Sequence, residues 1–179
     1  MKLKAVLVVI FVFSMMLIQA QNQEDNKVKY SNITEWGLLG SPSERFIAFE
    51  GTTVNGFAIG GHNLGIGLGL GLGGDMDAAE PGVYCPIFIN YRYYFNPLKS
   101  FTPHINVALG GMSRVEAMGI YSTLTSGFRS HKFSFSSGFF FQAYESEIWD
   151  YDQYGVYFNT NKKEWRYPWG IMIKVGFSF

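Results

Sequence analysis

Trp165-Arg166-Tyr167-Pro168-Trp169-Gly170-Ile171-Met172-Ile173-Lys174-Val175-Gly176-Phe177-Ser178-Phe179 alternates without a break. Successive side chains of a β-strand point to opposite faces. Trp165, Tyr167, Trp169, Ile171, Ile173, Val175, Phe177 and Phe179 therefore share one face, and Arg166, Pro168, Gly170, Met172, Lys174, Gly176 and Ser178 share the other. The first face is apolar throughout, with aromatic residues at its two ends and aliphatic ones between them. That order is how a strand looks when it crosses lipid between two interfacial girdles.

The amino terminus points the same way. Lys2 and Lys4 precede an apolar run, Ala5 to Ile18, broken only by Ser14, and Ala20 supplies a small residue before Gln21. This reads as a cleavable secretory signal over residues 1–20, because the run is shorter than the ~20 residues a membrane helix needs. A polar segment, residues 21–29, follows, and residues 30–179 form the expected barrel domain. Without Lys2 and Lys4 the chain carries 12 basic and 14 acidic side chains, so no basic excess invites nucleic acid. Cys85 is the one cysteine and can make no internal disulfide. Barrel closure would stabilise an exported chain of this kind, since it pairs the backbone of every strand.

Further period-two segments repeat along the chain, separated by turn residues. In Leu64 to Gly73 every even position is aliphatic and every odd one is glycine. Glycine on the inner wall of a narrow barrel is expected to leave room for large side chains arriving from across the lumen. Gly69, Gly71 and Gly74 also match a dinucleotide fingerprint, but the helix that motif needs is replaced by the turn-rich stretch Asp75 to Gly82. Strands are also read at Tyr30 to Leu39, Phe46 to Ala58, Tyr84 to Phe95, Phe101 to Gly111, Gly119 to Phe128 and Lys132 to Glu145, making eight with the last. The fold class is thus all-β, an eight-stranded antiparallel transmembrane up-and-down β-barrel.

With both termini in the periplasm, the connections Gly60 to Asn63, Asn96 to Ser100 and Arg129 to His131 should be periplasmic and short. Gly40 to Arg45, Gly74 to Gly82, Met112 to Met118 and Ser146 to Glu164 should face outward and be longer. A soluble lipocalin-like barrel is the chief rival. The apolar faces supply more bulk than an eight-stranded interior can hold, which argues against it.

The chain resembles the small outer-membrane β-barrel proteins with eight strands, loosely OmpA-like or OmpW-like. The residues that carry the likeness are Leu64 to Gly73, Pro86 to Phe95 with Tyr91-Arg92-Tyr93-Tyr94-Phe95, Thr102-Pro103-His104, and Ile173 to Phe179 with its terminal Phe. The resemblance implies insertion into the bacterial outer membrane by the barrel-assembly machinery, among lipid and lipopolysaccharide. It supplies no substrate. No peptidoglycan-binding domain is expected after the barrel, a departure from OmpA itself.

Barrel enzymes that act on lipid A or surface proteins place a base, commonly His, near the outer rim. His62, His104 and His131 all fall at the periplasmic end, so no catalytic residue, cofactor or metal is expected. Glu50, Asn90, Arg92, His104, Asn106 and Lys174 fall on lumen faces, and buried charges must find partners there. They form the candidate interior network. Acidic residues gather in outward connections: Asp75, Asp77 and Glu80 in one, Glu147, Asp150 and Asp152 in another. Trp149, Asp150, Tyr151 and Asp152 are the candidate surface contacts, on a stretch that also carries Tyr154 and Tyr157. The sequence thus supports a structural or surface-interaction protein with a side-chain-plugged lumen and no catalysis. The alternative is a narrow channel or a barrel holding a small hydrophobic or lipid ligand.

Overall fold

The computed structural model describes residues 27–42, 45–75, 82–114, 117–151 and 157–179, without the side chains of residues 75 and 147–162. The expected signal segment, Asp77 and Glu80, and Asp152 lie outside the described residues. Nine strand segments form one antiparallel sheet: β1 Lys29–Ser41, β2 Phe46–Ile59, β3 His62–Asp75, β4 Gly82–Tyr94, β5 Phe101–Arg114, β6 Ala117–Ser130, β7 Phe133–Tyr151, β8 Tyr157–Arg166 and β9 Trp169–Ser178. Each of β1 to β7 pairs with the next, β7 pairs with both β8 and β9, and β9 returns to β1. The sheet is therefore closed.

β8 and β9 are one barrel strand interrupted at Tyr167 and Pro168. The register Tyr144↔Arg166 continues without slip as Phe141↔Trp169, and the Gln142 amide still donates to the Pro168 carbonyl at 2.9 Å. Proline has no N–H to return, so the ladder lacks a bond there but keeps its register. Counted this way the barrel has eight strands, as the alternation predicts.

Two expected outward loops are corrected. β5 and β6 run on to Arg114 and from Ala117, leaving residues 115–116 between them where a longer connection was expected from Met112 to Met118. The stretch read as the loop Ser146 to Glu164 is largely a two-stranded arm. β7 and β8 stay paired from Tyr144↔Arg166 to Tyr151↔Tyr157, with one irregularity between Glu147 and Trp149. β6 last pairs β7 at Tyr144, so the arm rises beyond the closed barrel.

At the opposite end the turns are tight. Ile59↔His62 and Ser130↔Phe133 leave two-residue connections, Gly60-Gly61 and His131-Lys132. Gly60 and His131 adopt left-handed φ of 55°, a conformation that costs glycine nothing and His131 a little.

The outer surface is apolar where a water-soluble domain would be polar, and charges are buried beside the apolar cluster of Ile33, Leu39, Phe88 and Met172. Leu64, Ile66, Leu68, Leu70 and Leu72 on β3, Ile87 and Ile89 on β4, and Trp169, Ile171, Ile173 and Val175 on β9 are all exposed. Charged and polar side chains, Glu35, Glu50, Asn90, Arg92, Asn106, Gln142 and Lys174 among them, are buried. Among the described residues no helix is long and apolar enough to cross a membrane. A closed barrel crosses by its strands instead, with every backbone group paired between neighbours.

Candidate functional site: the ion-paired interior

One hydrogen-bonded row organises the interior. Tyr84 on β4 registers with Gly71 on β3, Gly71 with Glu50 on β2, Glu50 with Gly37 on β1, and Gly37 with Lys174 on β9. Side chain and glycine alternate across five strands. A Cβ at Gly71 would collide with the Tyr84 ring, and one at Gly37 would come within 3.0 Å of Lys174 Cγ. Each glycine lets its neighbour's side chain lie flat against the wall and reach the strand beyond. Lys174 Nζ thereby crosses β1 to stand 3.3 Å from Glu50 Oε1, while Tyr84 crosses β3 to donate its hydroxyl to Glu50 Oε2 at 3.1 Å. Tyr121 on β6 donates to Glu50 Oε1 at 2.7 Å from across the lumen.

This corrects the expected role of the glycines. The bulk they accommodate comes chiefly from the adjacent strand: Phe88 covers its register partner Gly67, and Tyr84 covers Gly71. Strand-to-strand contact of this kind restores to a glycine the packing it lacks.

A second cluster centres on Arg92, which is fully buried. Its Nη2 lies 2.6 Å from Glu35 Oε1, and its Nε donates to Asn106 Oδ1 at 3.3 Å. Asn90 donates to the same Asn106 oxygen at 2.7 Å, and Asn106 in turn donates to Thr125 at 3.5 Å. Gly176 stands beside Glu35 as Gly37 stands beside Glu50; its Cβ would meet Glu35 Cγ at 2.8 Å. Two acids and two bases thus pair inside the barrel, and a carboxylate bonded to a fully buried guanidinium is the stronger kind of hydrogen bond.

The six residues expected in the lumen, Glu50, Asn90, Arg92, His104, Asn106 and Lys174, are all buried. Five belong to these two clusters. His104 stands apart, its ring 5.5 Å from that of Tyr94 and both its nitrogens without a partner among the described residues. His62, expected in a turn, begins β3 and shares a 2.7 Å hydrogen bond with the Tyr91 hydroxyl.

Glu35, Tyr84 and Tyr121 are members of these clusters that the sequence reading missed. Charge balance held the signal for Glu35. Arg92 and Lys174 are two interior cations, and Glu50 alone cannot pair both. Glu35 has the parity of Ile33 and Leu39, inward, against Trp36 and Leu38, outward.

At the loop end, the Arg114 guanidinium lies 4.0 Å over the Tyr144 ring and donates to the Gly73 carbonyl at 3.1 Å. At the turn end, Arg129 lies 4.3 Å over the Tyr94 ring and donates to the Pro97 carbonyl at 3.0 Å. Of the surface residues expected to make contacts, Trp149, Asp150 and Tyr151 lie on the upper part of β7, in the arm. Among the described residues no cluster of His, Cys, Asp and Glu has the arrangement of a metal site.

No protein-family model matches the chain, and no curated protein matches it. Among solved structures, a major outer membrane protein from Thermus thermophilus is similar over 84% of this chain and 100% of that one. The identity is 12% and the TM-score 0.41.

Proposed function

We propose that the chain is an integral outer-membrane β-barrel whose interior is closed by its own side chains and whose role is structural or surface-interactive, without catalysis. The observation that carries the reading is the closed sheet with an apolar exterior and an ion-paired interior. Water would have to wet the exposed leucines of β3, at a cost of ~25 cal/mol per Å² of apolar surface, whereas lipid would not. In this reading the tight turns face the periplasm and the β7–β8 arm faces outward, with Trp149, Asp150 and Tyr151 on its β7 strand as candidate surface contacts. The surroundings are outer-membrane lipid and lipopolysaccharide, and insertion depends on the barrel-assembly machinery after removal of the signal segment.

Against an open pore stands the pairing of Glu35 with Arg92 and of Glu50 with Lys174, which removes the fixed charges that would draw ions through. One observation favours the narrow-channel alternative. Arg92 Nη1, His104, Thr123, Ser134, Ser136 and Gln142 hold buried polar atoms without partners among the described residues, and polar groups of that kind can hold a file of water. Planar-bilayer recording of the purified protein tests the two. Closure predicts no steady conductance above that of the bare membrane, and regular single-channel steps would establish the channel instead.

A further inference from the structure

The apolar exterior is interrupted at one place by amide side chains. On β2 the outward row reads Ile59, Phe57, Asn55, Thr53, Gly51, Phe49 and Ile47, with Phe57, Ile59, Phe49 and Ile47 all exposed. On β1 the outward row begins Tyr30, Asn32 and Thr34 before Trp36 and Leu38. The two polar runs lie side by side in register, Asn32↔Asn55 and Thr34↔Thr53. Their other neighbours are apolar: Ile66 and Leu68 on β3, Phe177 on β9, and Phe179. With a rise of ~3.4 Å per residue along a strand tilted by ~40°, Asn55 and Thr53 stand roughly 10 and 16 Å above Ile59, inside an apolar band ~25 Å tall.

These side chains bond to one another but not completely. Asn32 Nδ2 donates to Asn55 Oδ1 at 2.7 Å, and the Tyr30 hydroxyl donates to the same oxygen at 2.5 Å. Thr34 and Thr53 hydroxyls meet at 3.4 Å. Asn32 Nδ2 also lies 3.4 Å from the Thr53 hydroxyl, and among the described residues no hydrogen bond reaches Asn55 Nδ2 or Asn32 Oδ1. One amide donor and one amide acceptor are thus left facing outward, where a lipid tail can satisfy neither.

We propose that this β1–β2 face is the contact surface of a homodimer within the membrane. The inference rests on the outer-membrane reading above. The unpartnered donor and acceptor lie on facing register partners of adjacent strands. A twofold axis along the membrane normal, which two copies inserted in the same sense can share, brings each copy's Asn32 opposite the other's Asn55. Donor then meets acceptor twice, with no third component. Thr34 and Thr53 are smaller than Trp36 and Phe57 on the same outward rows, and small residues allow close approach between membrane segments. A second copy fits because the face complements itself; a different partner would need its own matched amide pair.

Two measurements on the full mature chain in phosphatidylcholine vesicles test this. Single-molecule photobleaching counts subunits, and flotation with heat-modified gel mobility scores insertion and folding separately. The wild type should show two-step bleaching. Asn55→Leu should fold and float normally, yet weaken dimerisation about 3- to 30-fold, the range for one or two membrane-buried hydrogen bonds. In a Cys85→Ser background, Thr53→Cys should crosslink copy to copy, while Leu68→Cys on β3 should not. Inserted wild type that bleaches in single steps at all protein-to-lipid ratios overturns the dimer alone. So does crosslinking from Leu68→Cys equal to that from Thr53→Cys, or a Thr53→Cys adduct in cells only to some other protein. Failure to float overturns the membrane reading, and the dimer with it.

Discussion

Gly37 and Gly71 show how a residue without a side chain can determine a network of side chains. Both sit between the groups that bond to Glu50, and their absent Cβ atoms are what lets Lys174 and Tyr84 lie across them. Gly71→Val should displace the Tyr84 ring and lower stability by ~1 to 3 kcal/mol, as overpacking does. Leu68→Ala, three positions away but facing outward, should cost under ~1 kcal/mol, because lipid fills the space left behind; a core leucine would cost ~2 to 5 kcal/mol. Urea unfolding in vesicles ranks the two, and a larger loss for Leu68→Ala would place the leucines inward. Glu50→Gln should be the more damaging interior change. It leaves the Lys174 ammonium buried without its carboxylate, a loss of ~3 to 5 kcal/mol, and adding Lys174→Met should recover most of it. The same unfolding assay checks the recovery; equal stability of both variants would mean the pair contributes nothing. Interior parity made Glu50, Arg92 and Lys174 legible in the sequence. Glu35 was not, because Tyr30, Asn32 and Thr34 put polar residues on the outward face too and blurred the alternation of β1.

At the scale of elements, the strands that alternate strictly were readable almost to their ends. Leu64 to Gly73 became β3 with two residues added on either side, and the alternating face of the C-terminal segment became the exposed face of β9. What was not readable is the β7–β8 arm. Period-two hydrophobicity exists only where one face of a sheet meets an apolar phase and the other does not. Glu145 to Asp150 and Asn159 to Glu164 extend beyond barrel closure and are mostly polar, and their two apolar residues, Ile148 and Trp149, are adjacent in sequence and so of opposite parity, which leaves no period-two trace. For the same reason the barrel should not depend on the arm. Replacing residues 148–162 by a two-residue Asn-Gly turn joins Glu147 to Lys163, which are register partners. Every pairing of β7 with β6 and β9 survives. The shortened chain should fold with a urea midpoint close to that of the full chain, and its failure to fold would make the arm a nucleus rather than an appendage.

The described barrel holds two ion-paired clusters among buried apolar side chains such as Leu39, Phe88 and Met172, wrapped in an apolar exterior, and the central claim is that lipid covers that exterior. Trp36 is the natural probe, half-exposed on the outward face of β1 beside its register partner Gly51. Its indole lies 3.6 Å from where a Gly51 Cβ would be, against the barrel wall. The deciding measurement is the fluorescence of a variant retaining Trp36 alone, with Trp149, Trp165 and Trp169 changed to Phe, folded into vesicles of acyl-chain-brominated phosphatidylcholine. Strong quenching by the bromines together with protection from aqueous acrylamide is the predicted result. Acrylamide quenching without bromine quenching would put Trp36 in water and contradict the account.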